Sequence, residues 1–262
     1  MFASTKSEVL MKMCKAQTES PRPAPGWTFA DELICKISTW VAVLIEEFSF
    51  RLKRMMLRKA FYNFTHRFSL TDARQGKVDH NHYNPYQGVN LLVIDKLISS
   101  GEINVHDTIM DVGSGAGLFL IYLAARGFRN LVGIEYNRDV YEVCMKNIAT
   151  FTPNDRSPKS AFRIYNGNAL EIPIDDDVNV FYLFNPFYDK ATYTQWINQV
   201  RVSIEKCPRR IKILLLYPTV ASEGAIRDCD WLQEKRRIFC ERQTWHKIVF
   251  FVVYESVSAQ PV

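Results

Sequence analysis

A chain of 262 residues that is 47% apolar and 13% aromatic can bury one sizeable core, which points to a globular enzyme or binding protein of one or two domains. Its six cysteines, Cys14, Cys35, Cys144, Cys207, Cys229 and Cys240, form no C-x-x-C pair, which argues against zinc and disulfide frameworks and for reduced thiols in a cytoplasmic protein. The net charge of +5 is small and lopsided: residues 1–70 hold 11 of the 33 Lys and Arg but only 6 of the 28 Asp and Glu, and the remainder is balanced.

The chain opens with Lys6, Lys12 and Lys15 but lacks the apolar run of about 7 to 15 residues that a signal peptide needs, so export is not expected. Ser20-Pro-Arg-Pro-Ala-Pro-Gly26 cannot be helix interior or central strand, and residues 1–30 read as a disordered or extended leader. Leu33, Ile34, Ile37, Val41, Leu44, Ile45, Phe48, Leu52, Met55 and Met56 then recur at three- and four-residue steps. That spacing predicts amphipathic helices, and residues 31–84 read as a helical N-terminal extension and linker.

The apolar stretch Trp40–Ile45 lies between Lys36 and Glu46-Glu47, far short of the roughly 18 to 20 residues that span a bilayer, so no integral membrane segment is expected. The run Arg51-Leu-Lys53-Arg54, with Arg58 and Lys59, is either a solvated helix face or a surface for phosphates or an anionic membrane. Residues 31–70 are thus a candidate for peripheral membrane contact or dimerisation. His80-Asn-His82 has metal-like spacing, but no third ligand can be named; it reads as solvated loop and no metal is predicted.

From residue 85 to 258 helix and strand patterns alternate. Helices are expected at Val89–Ser99, Ala116–Ala125, Val140–Thr150 and Ala191–Ile204, and strands at Asp107–Val112, Asn130–Ile134, Phe162–Tyr165, Val178–Phe184 and Lys212–Tyr217. Arg236–Arg242 and Lys247–Glu255 would close the domain as a hairpin. Such alternation predicts a parallel sheet with helical crossovers.

Asp111-Val-Gly113-Ser114-Gly115-Ala-Gly117 stands where the first strand hands over to a helix. Glycines let the backbone approach a ligand closely, and the helix N-terminus favours a phosphate or a carboxylate. The dinucleotide pattern G-x-G-x-x-G fails, because counting from Gly113 its last position is Leu118. Asp111 would also repel a pyrophosphate, whereas it can pair with the ammonium group of S-adenosylmethionine. Glu135 ends the next strand, where a carboxylate can accept both ribose hydroxyls.

Asp111 through Gly117, together with Glu135, resembles the class I S-adenosylmethionine-dependent methyltransferases, over about Tyr86 to Tyr254. The resemblance implies a Rossmann-like, seven-stranded, mostly parallel α/β sheet flanked by helices, with one strand reversed. It implies S-adenosyl-L-methionine as cofactor, its methionine part on Asp111, Gly113, Ser114, Gly115 and Gly117 and its ribose on Glu135, next to Tyr136. Asn168-Ala169 resembles the family's adenine-contacting loop, with Asn168 where aspartate is usual; an ordinary Asn-Gly turn is the alternative. Tyr86 and Gln87 are candidate residues folding over the methionine part, or else routine helix-start packing.

Asn185-Pro186-Phe187-Tyr188, at the end of the fourth strand, resembles the Asn/Asp-Pro-Pro-Tyr/Phe motif of amine methyltransferases. There the Asn and a carbonyl align a nitrogen acceptor and an aromatic ring stacks on the substrate; here Phe187 replaces the second proline, which sets where the carbonyls aim. A hydroxyl acceptor would need a base, for which Asp189, His246 and Tyr188 are candidates. Nitrogen positioned by Asn185 is therefore one reading, with O-methylation of a sugar or glycan precursor and a non-catalytic nucleotide-binding module as alternatives. Small molecule or glycan and protein side chain are the acceptors to weigh, ahead of RNA, because the region after residue 70 has no excess of Lys and Arg.

Overall fold

The computed structural model describes Phe68 and residues 89–151, 161–242 and 248–257. The leader, the helical extension apart from Phe68, and His80, His82, Tyr86, Gln87 and His246 lie outside the described residues.

The described chain runs α1 (Leu91–Ser99), β1 (Thr108–Val112), α2 (Leu118–Ala125), β2 (Asn130–Glu135), α3 (Arg138–Phe151), β3 (Phe162–Asn166) and β4 (Val180–Leu183). It continues with α4 (Lys190–Lys206), β5 (Lys212–Leu216), α5 (Val220–Arg227), β6 (Leu232–Arg242) and β7 (Ile248–Ser256). The seven strands form one sheet in the order β3-β2-β1-β4-β5-β7-β6. The first five are parallel, and β7 enters between β5 and β6 antiparallel to both. The expected hairpin is present, with its second strand lodged inside the sheet rather than on its edge.

Strand alternation divides the core into two layers. Ile109, Leu131, Tyr182, Leu214 and Phe251 face α1, α2 and α3, while Met110, Val132, Phe181, Ile213 and Val252 face α4 and α5. Helix α4 starts where Asp189 Oδ1 accepts from the Thr192 N–H at 2.9 Å. It buries Tyr193, Trp196, Ile197 and Val200, spaced i, i+3, i+4 and i+7, against the sheet.

Helix α5 does not figure among the expected elements. Its segment Val-Ala-Ser-Glu-Gly-Ala-Ile-Arg carries Gly224 in mid-helix, which weakens the pattern by about 1 kcal/mol relative to Ala. The signal for it is the capping pair: Thr219 and Ser222 each accept from the other's backbone N–H.

Beyond α1, Glu102 is 4% exposed and reaches Arg236 at 2.7 Å, Lys212 at 3.1 Å and Lys235 at 3.3 Å. It ties the α1–β1 connection to the β5 and β6 side of the sheet. Burial alone would raise this carboxyl, but hydrogen bonds and charge from Lys212 and Lys235 hold it below its ordinary value. A depressed acid stabilises above its unfolded value, about 4.3, and that stability is lost as pH falls through the folded value. Glu102→Gln should therefore cost roughly 1–3 kcal/mol at pH 7, the lysines being partly solvated, and little at pH 3, as urea denaturation at the two pH values will read.

Candidate functional site

The carboxyl ends of β1, β2, β4 and β5 open on one edge of the sheet, where a doubly wound fold places its ligand crevice. On that edge the glycine loop leaves β1 and is held by β2. The Gly113 and Ser114 N–H groups both donate to the Ile134 carbonyl at 2.9 Å, and the Gly115 N–H donates to Glu135 Oε2 at 2.8 Å. Glu135 Oε1 accepts from the Asn137 N–H, also at 2.8 Å. The Tyr136 N–H adds a third backbone donor to this carboxylate, which is thereby fixed at the end of β2 beside the glycine loop.

Asp111 lies under the loop and is 3% exposed. Among the described residues no side chain or backbone donor hydrogen-bonds its carboxylate. Burial first, and the nearby Glu135 carboxylate second, push it well above the usual carboxylate range. Burial raises Glu135 as well, against the backbone N–H groups of Asn137, Gly115 and Tyr136. Cys144 below them, pushed up to about 12 by burial and then by the two acids, stays a thiol. The result is a buried, electronegative hollow in which no cation among the described residues pairs with Asp111.

Two close approaches explain the glycines. A Cβ on Gly117, whose φ is +78°, would stand 2.6 Å from the Cys144 Sγ. A Cβ on Gly113, φ +80°, would stand 3.2 Å from Pro186 Cβ, so the missing side chain lets the β4 exit lie against the β1 loop. Asp111, the glycines, Glu135 and Asn185-Pro186 are therefore brought together.

The other predicted positions differ in burial and bonding. The Ser114 hydroxyl is buried with no hydrogen-bond partner, turned under the loop to within 3.0 Å of where a Gly133 Cβ would be. Asn168 forms a turn after β3, its Oδ1 accepting from the Leu170 N–H at 2.9 Å and its Nδ2 donating to Glu171 at 3.1 Å; Ala169 is buried beside it. Tyr136 is 45% and Tyr188 69% exposed.

Phe187, which stands where the motif has its second proline, turns inward. Asn185, with φ 49°, and Pro186 turn the chain so that Phe187 is 2% exposed, packed on Tyr193 at 5.1 Å and Trp196 at 6.3 Å. Its ring completes the core under α4. Asp189, considered as a base, accepts from both the N–H and the hydroxyl of Thr192 at 2.9 Å as the α4 cap. Tyr182, Phe184 and Tyr217 gather at the ends of β4 and β5 without a motif to mark them; their signal in the sequence is aromatic residues ending two adjacent strand runs.

A parallel sheet with strand order 3-2-1-4-5-7-6, its seventh strand reversed, and a carboxylate closing each of β1 and β2, settles the architecture. The chain has a Rossmann-like, seven-stranded, mostly parallel α/β fold.

No protein-family model matches the chain. A human protein named EEF1A lysine methyltransferase 2 is 23% identical over 137 residues, 51% of this chain and 52% of that protein. The chain thus spans about half the length of the curated relative it matches. Among solved structures, TrmN from Thermus thermophilus aligns with a TM-score of 0.49 at 12% identity, over 64% of this chain and 48% of that one. An S-adenosylmethionine-dependent methyltransferase from Methanosarcina mazei aligns with a TM-score of 0.45 at 12% identity, over 61% and 97%. These scores stay below 0.5, and the fold rests on strand order. Among the described residues no three His, Cys, Asp or Glu side chains group as a metal site would require, and no helix is long and apolar enough to cross a membrane.

Proposed function

We propose that the chain is an S-adenosylmethionine-dependent methyltransferase acting on nitrogen. The observation that carries the reading is Asp111: a buried carboxylate with no donor among the described residues, below a glycine loop and beside Glu135. Leaving a charge so placed is costly unless a cation pairs with it, and the ammonium of an amino-acid-like ligand fits that need. Glu135, held by backbone N–H groups at the end of β2, is the carboxylate that takes the ribose hydroxyls. A pyrophosphate in the same hollow would face both acids.

S-adenosylmethionine supplies an electrophilic methyl group on a sulfonium. The chain's part is to orient: Asp111 and Glu135 fix the two ends of the donor, and Asn185 aligns an amine lone pair with the methyl group. Positioning alone supplies as much as about 7 to 11 kcal/mol of barrier reduction, and a neutral amine needs no base during attack. A protein lysine is the acceptor favoured here, a choice supported by the name of the human relative and by an exit framed by aromatic and amide groups.

Calorimetry with S-adenosylmethionine and its demethylated product should give micromolar binding, weakened about 30-fold or more in Glu135→Gln, where an amide N–H faces the Gly115 and Asn137 donors. No heat with either ligand would sink the reading. Labelled methyl transfer into fractionated extract, counted in protein, RNA, glycan and small molecules, tests the acceptor; label confined to RNA or glycan would reject lysine.

A further inference from the structure

Strands β4 and β5 leave the sheet in the same unusual way. Leu183 pairs with Leu215 as the last pair of the ladder, and two residues beyond each the backbone turns left-handed, at Asn185 and at Tyr217. These are the two non-glycine residues with positive φ among the described residues, at 49° and 53°. Asn tolerates the left-handed region; a tyrosine there is uncommon, and such strain persists only where the surroundings over-determine it.

The left-handed turn lays the Tyr217 ring along the neighbouring exit. Its centroid is 5.6 Å from that of Phe184, with the planes 24° apart. Behind the pair lies Tyr182, the register partner of Asp111 on the same face of the sheet, stacked on Phe119 at 3.8 Å and 2% exposed. Its hydroxyl is buried with no hydrogen-bond partner among the described residues. The ionisable groups that bear on it are Asp111, Cys240 and Tyr217. Asp111 and Tyr217 thus both lie within electrostatic reach of the Tyr182 hydroxyl. A hydroxyl left unpaired in a core costs about 1–3 kcal/mol, a cost an incoming polar group would remove.

We propose that Tyr217 is a second positioning residue for the acceptor, facing Asn185 across the β4–β5 exit and, with the Tyr182 hydroxyl behind it, offering oxygen lone pairs to an amine held against the donor methyl. This rests on the methyltransferase reading. An amine suits the place: its N–H groups meet neutral oxygens, and aromatic faces favour a cationic approach. The cation nearest in sequence to Asn185 is Lys190, bound to Asp228 at 2.6 Å, so it is not offered to a phosphate.

Sinefungin, which carries an amino group in place of the sulfonium methyl, is the probe, compared with S-adenosylhomocysteine, which has nothing there. The wild-type protein should bind sinefungin more tightly than S-adenosylhomocysteine. Tyr217→Phe should shrink that preference about tenfold and leave the affinity for S-adenosylhomocysteine within twofold. Tyr217→Asn, which tolerates the backbone conformation, should do the same and serves if the first variant folds poorly. Failure of the wild type to bind either ligand defeats the methyltransferase reading itself. Binding of both with equal affinity, or an unchanged preference in a Tyr217 variant that merely unfolds at a lower temperature, overturns the proposal and leaves Tyr217 a packing residue.

Discussion

Replacing Asp111 by Asn should make the ligand-free protein more stable while abolishing binding of the proposed cofactor. In the folded chain this carboxyl is raised, burial being the main cause and Glu135 the second. The sign follows: between the unfolded value, about 3.9, and the higher folded value the unfolded chain is ionised and the folded chain is not, so stability falls as pH rises through that window. At neutral pH the wild type carries the penalty and the isosteric amide does not. An increase of roughly 1–2 kcal/mol, or about 2–8 °C in Tm, is expected for Asp111→Asn.

On the proposed reading the same substitution also deletes the partner of the ligand ammonium, a buried charge-assisted contact worth about 2–5 kcal/mol, so affinity should drop between about 30-fold and 4,000-fold. Differential scanning fluorimetry with and without S-adenosylhomocysteine reads both halves. A variant that loses stability and keeps its ligand would remove Asp111 from the site. In the wild type, pairing requires the ionised acid, so binding should release protons and tighten as pH rises, until the ligand's own ammonium deprotonates. Calorimetry in two buffers of different ionisation enthalpy detects the release.

The second large effect belongs to Gly117. Alanine there meets the Cys144 Sγ at 2.6 Å and takes a backbone with φ +78°. Left-handed backbone costs an L-residue about 1–2 kcal/mol, and overpacking a dense core about 1–3 more. Gly117→Ala should therefore lose roughly 2–5 kcal/mol in chemical denaturation. Adding Cys144→Ala should return the steric part but not the conformational part, and a double mutant no more stable than Gly117→Ala alone would show that Cys144 is not the obstacle.

The helices and strands that were legible in the sequence are those whose apolar spacing and terminators agree. Lys212–Leu216 reads as a buried strand because four apolar residues follow one lysine, and α4 reads as a helix because Tyr193, Trp196, Ile197 and Val200 share a face. Helix α5 escaped because Gly224 and a short polar repeat dilute the period. At the site, Asp111, Gly113 and Glu135 stand together as their spacing implied, since a strand–loop–helix unit places neighbours in sequence beside each other in space.

What spacing could not convey is direction. Nothing in Asn185-Pro-Phe-Tyr188 tells which ring turns inward; the left-handed φ at Asn185 decides that Phe187 enters the core and Tyr188 faces solvent. Ser114 likewise sits in the loop with its hydroxyl beneath it. Tyr217 is found only through register, a property of two strands at once.

The reversed seventh strand also dictates an order of assembly. During synthesis β5, with Ile213 to Leu216 buried in the finished sheet, leaves the ribosome before its outer neighbour exists. Until Ile248–Ser256 emerges and inserts between β5 and β6, the growing chain presents two unpaired strand edges to any other chain nearby. Translation stalled ahead of residue 248 would release an intermediate prone to aggregation, and a chaperone acting on this protein would have most to protect in that interval.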